Sequence, residues 1–167
     1  KDKGPSDTME LVLAQADALG YDIRKNLADG SALKEFKLMC ARQGVERSVI
    51  DSLIERPWDI LTKANLSIEI PAKASGWISK IDALTIGQIL CNLGAGRTGA
   101  ATSIDHGIGA ELVKCVGEKI EKGSTWIRLD VNSMMDTELV NQIQQAIEIS
   151  DAEVTKSSRI LQIITSH

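Results

Sequence analysis

The chain has 167 residues, of which 43% are hydrophobic, 25% are charged and 3% are aromatic, and its net charge is −4. This composition is typical of a globular domain, and no apolar run approaches the roughly 20 residues that a membrane-spanning helix needs. The negative charge and the few aromatic side chains argue against nucleic-acid and anionic-membrane partners, because both depend on a positive surface. A soluble protein is therefore expected.

The cysteines favour a reducing compartment. Cys40, Cys91 and Cys115 are odd in number, far apart and in no Cys-x-x-Cys pair, so neither a disulfide framework nor a zinc site is predicted. A cytoplasmic location is expected. The opening residues 1–5 show no initiator methionine, no apolar signal core and no Arg-rich transit pattern, which suits an internal boundary such as that of a fragment.

Residues 1–57 show helical periodicity. Asp7 and Glu10 have capping-box spacing at the start of a helix that ends near Gly20. Ser31 is expected to cap another helix, and apolar residues at helical spacing continue to Pro57. The segment is interpreted as a set of terminal helices, with a linker at residues 58–65.

From Leu66 onward the apolar period changes from helical to alternating, which indicates strands. The predicted elements are strands at 66–71, 77–81, 110–116 and 125–131, a helix capped by Thr85 and Gln88 and closed by Gly94, a helix at 136–149, and a last strand at 159–165. Residues 66–167 are therefore predicted to form an α+β domain.

The run Gly94-Ala95-Gly96-Arg97-Thr98-Gly99 has the composition of a phosphate-binding loop, since glycines expose backbone N–H groups and Arg97 can bind a phosphate with two hydrogen bonds. Its position argues against that function. Phosphate loops precede a helix and use its positive end, whereas this run follows a predicted helix. A helix C-cap followed by a loop is favoured.

Asp105 and His106 follow in the same glycine-rich stretch. Neighbours in sequence do not form a hydrogen-bonded pair merely by adjacency, and no nucleophile signature stands nearby. His106 is interpreted as an ordinary loop residue. Because the other histidine is the terminal His167, a histidine-based metal site is not expected. The tryptophans Trp58, Trp77 and Trp126 could mark a ligand pocket, but at strand or linker positions they are interpreted as core or edge fillers.

A second pattern, Gly117-x-x-Ile120-x-x-Gly123 together with Gly76-Trp77-Ile78, also occurs in biotinyl and lipoyl carrier domains, whose glycines shape the turns of a flattened barrel-sandwich. Carriers present a modified lysine at the tip of a hairpin. Lys73, in Ala72-Lys73-Ala74, is a faint match that precedes the first glycine turn. A barrel-sandwich-like shape is predicted without the carrier chemistry.

The ordered set of these motifs resembles the thymidine and pyrimidine-nucleoside phosphorylase family, in particular its animal members. The residues that carry the resemblance are Gly4-Pro5-x-Asp7, Asp29-Gly30-Ser31-Ala32-Leu33, Ala41-x-Gln43-Gly44, Leu93-Gly94-Ala95-Gly96-Arg97 and Gly123-x-x-Trp126-x-Arg128. The similarity extends over nearly the whole chain. It implies that residues 1–57 are the last helices of an α/β catalytic domain and that residues 66–167 are the C-terminal domain.

The resemblance implies a pentosyltransferase of pyrimidine metabolism, a homodimer in which phosphate and thymidine give thymine and 2-deoxy-α-D-ribose 1-phosphate. Phosphate is then a co-substrate, and no cofactor or metal is expected. The family's catalytic, substrate-binding and potassium-binding motifs lie upstream of the position that matches Lys1, so no such role is assigned to a residue of this chain. The chain alone is predicted to be inactive.

The family closes its two domains over the substrates, and closure supports catalysis by excluding water. The hypothesis for this chain is that the loop from Gly94 to Gly109, with Gly96, Arg97, Asp105 and His106, lies along the closing face. Two alternatives remain open at this point. One is a free-standing binding or scaffold module derived from the enzyme, and the other is a carrier domain modified at Lys73.

Overall fold

A computed structural model of the chain describes residues 4–97 and 103–164. The polypeptide forms two compact units. The helical unit comprises the described residues up to Pro57 together with those from Ser157 onward, and the β unit is Trp58–Lys156. This division differs from the predicted one at two places, because residues 58–65 belong to the β unit and the last described residues belong to the helical unit.

The helical unit contains four helices in the part of the chain that is described. They are α1 (Ser6–Ala18), α2 (Arg24–Asp29), α3 (Ser31–Arg42) and α4 (Arg47–Glu55). The predicted helical periodicity is confirmed, but two predicted caps are wrong. Pro5 occupies the N-cap of α1 and Gly30 that of α3, and neither helix has a side-chain cap hydrogen bond. Asp7 lies inside the first turn, where its carboxylate accepts from the Thr8 amide.

The predicted strand at 159–165 is wrong for the residues up to 164, which have no regular structure, and Thr165 lies outside the described part. A strand needs a neighbouring strand to satisfy its backbone groups. These residues contact helix α1 instead. The Arg159 guanidinium donates to the Asp7 carboxylate at 2.8 Å, and the Ser158 hydroxyl donates to Glu10.

The β unit alternates strands with two helices. After a 3-10 turn at Pro57–Asp59, its elements are β1 (Leu66–Pro71), β2 (Gly76–Ile81), α5 (Ala83–Leu90), a π turn (Cys91–Ala95), β3 (Gly109–Leu112), β4 (Lys119–Ile120), β5 (Thr125–Val131), α6 (Thr137–Gln145) and β6 (Ile147–Ser150). Among the described residues they form two antiparallel three-stranded sheets, with orders β1-β5-β3 and β4-β2-β6. The α+β class is confirmed. In the described part of the chain both sheets are open and no barrel closes.

Three details of the β unit correct the sequence predictions. Strand β3 is shorter than predicted, and the two-residue strand β4 was not predicted at all. Helix α6 ends at Gln145 rather than at residue 149, because Ile147 pairs with Ile81 in strand β2. Spacing did not distinguish the two outcomes at Ile147, which extends the apolar stripe of α6 and also forms, with Ile149 two residues further on, the alternation of a short strand.

The cap of helix α5 is also different from the predicted Thr85–Gln88 box. Asp82 is the N-cap, and its carboxylate accepts hydrogen bonds from the Leu84 and Thr85 amides, both at 3.1 Å. The Thr85 hydroxyl also donates to that carboxylate at 2.7 Å. These hydrogen bonds, the Thr85 hydroxyl first, lower the pKa of Asp82 below its ordinary value.

The core of the β unit lies between the two sheets and their helices. Strand β5 contributes most to it, with Trp126, Ile127 and Leu129 completely buried. The other buried members are Ile70, Ala72, Ile78, Ile86, Ile89, Ile120, Val131, Ile143, Ala146 and Ile147. Burying apolar surface of this kind is the main favourable contribution to folding. Helix α5, from which the candidate loop continues, belongs to this core through Ile86 and Ile89.

Candidate functional site: the loop that follows helix α5

The candidate loop begins in the π turn at the end of α5. Gly94 has φ +119°, a conformation that L side chains rarely adopt, so glycine reverses the chain there at no steric cost. At Gly96 a side chain would collide with the Cys91 sulfur. Helix α5 itself ends at Leu90, and Gly94 breaks the helical conformation in the π turn that follows. Arg97 is exposed, and the residues that follow it, including Thr98 and Gly99 of the glycine run, lie outside the described part.

Asp105 joins the two ends of the loop. Its backbone N–H donates to the Gly94 carbonyl oxygen at 2.9 Å. One carboxylate oxygen accepts from the Gly107 amide at 2.9 Å, and the other accepts from the Asn132 side-chain amide. The structure therefore brings together Gly94 and Asp105, two of the residues that the sequence analysis assigned to this loop, and it adds Asn132, which the sequence analysis missed.

His106 lies on the other side of this turn, next to an open cavity of about 650 Å³ in the β unit. The cavity is also lined by Trp58, Lys63, Glu111 and Asp130. The Lys63 ammonium lies 5.7 Å from the centroid of the Trp58 ring, which is a cation–π distance. His106 is not hydrogen-bonded to the Asp105 carboxylate, both of whose oxygens are occupied by Gly107 and Asn132. Asp105 and His106 therefore do not form a catalytic pair.

Arg97 is not among the residues that line this cavity. The exposed arginine and the exposed histidine therefore do not both line this cavity. This separation gives no support to a phosphate site built from both residues. Arg97 is an exposed cation that follows the chain reversal at Gly94.

The tryptophans differ in their surroundings. Trp126 is completely buried and belongs to the core, as predicted, and Trp77 is half-buried in β2. Trp58 is 62% exposed, so the prediction that it fills a core or a sheet edge is wrong. It lies in the 3-10 turn that precedes β1.

Lys73 lies between strands β1 and β2, which belong to different sheets. The segment that carries it therefore crosses from one sheet to the other and is not the tip of a hairpin. Its ammonium lies 3.4 Å from the Asn141 side-chain oxygen on helix α6. This position does not match the exposed hairpin lysine of a carrier domain.

The described residues contain no group of three or more His, Cys, Asp or Glu side chains arranged to hold a metal ion. Within the same residues, every helix is too short or too polar to cross a membrane.

Comparison with known proteins identifies the β unit first. Residues 77–150, which include both edges of the candidate loop and most strands of both sheets, match the family model described as pyrimidine nucleoside phosphorylase C-terminal domain. These residues are therefore a C-terminal domain of that kind.

Longer matches extend into the helical unit. The chain is 33% identical to a pyrimidine-nucleoside phosphorylase of Bacillus subtilis, over 99% of this chain and 40% of the relative. It is 31% identical to that of Geobacillus stearothermophilus, over 92% and 37%, and 34% identical to that of Staphylococcus epidermidis, over 89% and 36%. The chain thus corresponds to the C-terminal portion of the pyrimidine-nucleoside phosphorylase family, as the sequence resemblance indicated, and it spans less than half the length of these relatives. They are bacterial, so the closer similarity to animal members stays a prediction.

Proposed function

We propose that the chain is the C-terminal part of a thymidine phosphorylase, a cytoplasmic homodimer in which phosphate displaces thymine from thymidine and leaves 2-deoxy-α-D-ribose 1-phosphate. The family match and the names of the relatives support this assignment. In this proposal the catalytic groups, the phosphate site and the nucleoside site are on the rest of the catalytic domain. No cofactor is required, and phosphate enters as a substrate.

The role proposed for this part of the enzyme is to close the substrate cleft. The observation that carries the proposal is the hydrogen bond between the Asp105 amide and the Gly94 carbonyl, which ties the two ends of the loop together. Arg97 follows this fixed turn and is exposed. A cation held at a defined place can add to the charge that closure assembles around phosphate and the departing base, in a site from which water is excluded.

The helical unit supports the proposal that the rest of the catalytic domain is its partner. Along α3, Leu33, Phe36 and Met39 recur at a spacing of three residues and are 47%, 40% and 46% exposed. Residues at this spacing share one side of a helix. An apolar helical stripe is normally covered by neighbouring elements of the same domain. The longer relatives contain additional chain that can supply such elements.

The first experiment measures thymine release from thymidine and phosphate, with the purified chain and with the intact enzyme that contains it. The chain alone is expected to release none, and the intact enzyme is expected to turn over. A free-standing scaffold would give no turnover in either preparation. Turnover by the chain alone would show that it carries its own catalytic groups and would refute the proposal.

The second experiment tests the loop by introducing Arg97→Ala into the intact enzyme. Turnover is expected to fall by about tenfold, the loss of one charged hydrogen-bonding group at a closed site, while the melting temperature stays within about 1 °C. Lys122→Ala removes the same charge from the exposed turn between β4 and β5 and serves as the control. Equal kinetics for Arg97→Ala, Lys122→Ala and the unmodified enzyme would count against a role of Arg97 in closure.

The carrier alternative predicts covalent attachment at Lys73. Since Lys73 lies in a connection between two sheets, we expect the intact mass of the chain to be unchanged after incubation with biotinyl and lipoyl ligases. A mass increase that Lys73→Arg abolishes would establish the carrier function instead.

A further inference from the structure

Asp105 lies where three segments of the β unit meet. Its amide binds the Gly94 carbonyl after helix α5, and its carboxylate binds the Gly107 amide within its own turn and the Asn132 side chain after strand β5. The backbone N–H and the two carboxylate oxygens of Asp105 thus each bind a different partner. One aspartate connects the start of the loop, its end and the β1-β5-β3 sheet.

Asn132 connects this aspartate to the end of the strand ladder. Leu66 pairs with Val131, so Asn65 and Asn132 are the next residues beyond the last pair of β1 and β5. The Asn65 amide donates to the Asn132 side-chain oxygen at 2.8 Å. That bond fixes which way the Asn132 amide group points, because an asparagine has one accepting and one donating end. The donating end is left for Asp105.

Close packing holds the same turn in place. A side chain at Gly107 would lie 2.9 Å from the Ala64 nitrogen and 2.9 Å from the Lys63 carbonyl carbon, both of them backbone atoms. Contacts this short do not occur with a real side chain, so the turn fits against residues 63–64 only with glycine at that position. The turn is thus fixed by hydrogen bonds on one side and by backbone contact on the other.

We propose that Asp105 is a positioning residue, and that Asn65, Asn132 and Asp105 form a clamp that fixes both ends of the loop to the β1–β5 ladder. The clamp defines where Gly94 reverses the chain and therefore where Arg97 begins. Its effect on catalysis rests on the function proposed above for Arg97. Its effect on the position of the loop does not depend on that proposed function, because every contact in the clamp lies within the β unit.

The test exchanges the polarity of one hydrogen bond. In Asp105→Asn the new amide group faces the donating end of Asn132, and in Asn132→Asp two carboxylates face each other. Each single substitution therefore breaks the link. In the double variant donor and acceptor exchange places, while an oxygen remains at each residue for the Gly107 and Asn65 amides. The substitutions are nearly isosteric, so packing is preserved.

The readout is hydrogen exchange of the Gly107 amide in the 167-residue chain, with the Leu129 amide of strand β5 as an internal reference for global stability. Each single variant is expected to speed exchange at Gly107 by about tenfold relative to Leu129, and the double variant to return it to within about threefold of the original. Asp151→Asn, an exposed carboxylate beyond β6, is the charge control and is expected to leave exchange unchanged. Unchanged exchange in the single variants, or a double variant no slower than either of them, would overturn the clamp.

Turnover of the intact enzyme with the same substitutions separates the clamp from the proposed function. If the single variants speed exchange at Gly107 and lower turnover, and the double variant restores both, the clamp positions a residue needed for turnover. If exchange follows the expected pattern and turnover does not change, the clamp stands and the role of the loop in closure fails. If exchange does not follow the pattern, the clamp fails whatever the kinetics show.

Discussion

The two units of the chain are stabilised in different ways. The β unit buries a continuous set of apolar side chains in which Trp126, Ile127, Leu129 and Ile143 are completely inaccessible, whereas Ile50 is the one buried hydrophobic residue in the described part of the helical unit. Because apolar burial is the main stabilising contribution, the helical unit gains less of it within this chain than the β unit does. The comparison teaches that regular secondary structure does not by itself identify a core, since the apolar stripe of α3 stays exposed in the described part of the helical unit.

The largest expected loss of stability comes from a substitution in the core of the β unit. Leu129→Ala removes a completely buried side chain and is expected to lower the free energy of unfolding by about 2–5 kcal/mol. Leu33→Ala in α3 truncates the same side chain at a position that is 47% exposed, and it is expected to change stability by less than about 1 kcal/mol. Urea unfolding followed by Trp fluorescence and by circular dichroism at 222 nm measures both variants. Equal losses would show that the helical unit has a core comparable to that of the β unit.

A smaller loss of stability is expected from substitutions at two glycines with positive φ. Gly76 at the start of β2 has φ +151°, and a side chain there would lie 2.5 Å from the Ser150 carbonyl oxygen in the neighbouring strand. Gly30, between α2 and α3, has φ +83° and open space around it. Gly76→Ala is expected to cost about 2–3 kcal/mol, since backbone strain and a collision combine, and Gly30→Ala about 1 kcal/mol.

Thermal unfolding of both glycine variants provides the measurement. If Gly30→Ala lowered stability as much as Gly76→Ala, the contrast between the two units would be wrong. The helical unit would then be packed as tightly at its turns as the β unit is at its strands.

The smallest effect concerns the ion pair that holds residues 158–159 against α1. The Arg159 guanidinium, hydrogen-bonded to Asp7, lowers the pKa of that carboxyl below its ordinary value of 3.8. Because the pKa is lower in the folded state, the stabilisation is present above about pH 4 and is lost as the pH falls through the folded-state pKa. An NMR titration of the Asp7 carboxyl in the chain should therefore give a midpoint below 3.8.

The matched variant is Arg159→Ala, which is expected to move the midpoint of Asp7 upward. Asp29, whose pKa is lowered by the Ser31 hydroxyl and amide and not by Arg159, should titrate identically in both proteins. If Asp7 did not respond while the chain stayed folded, the tail would not be held to α1 by this pair.

The elements that could be predicted from sequence are those whose signal is local. Helices α1, α3 and α4 follow from apolar periodicity, and strands β1, β2 and β5 from alternation between turn residues. Strand β6 could not be predicted in this way. It pairs with β2, which lies far away in sequence, and this pairing overrides a spacing that suits a helix equally well.

The candidate site shows the same limit. Gly94, Gly96 and Asp105 lie in a stretch that its length and its glycines identify as a loop, because glycines are typical of turns. Asn132 could not be identified from sequence, since its role depends on Asn65 and Asp105. Asn65 lies 67 positions before it in the chain. An asparagine directly after a buried strand is a weak signal for a side chain that bonds to a neighbouring backbone, and it names no partner.

The order of the strands has a consequence for how the protein emerges from the ribosome. Strand β1 pairs with β5 and strand β2 with β6, so the first two strands are synthesised well before their main partners. The nascent β1–β2 segment therefore exposes Ile70 and Ile78, which are buried in the finished domain, and its unpaired edges can associate with other chains. Glu69 and Lys80, one charged side chain on each strand, oppose such association during translation.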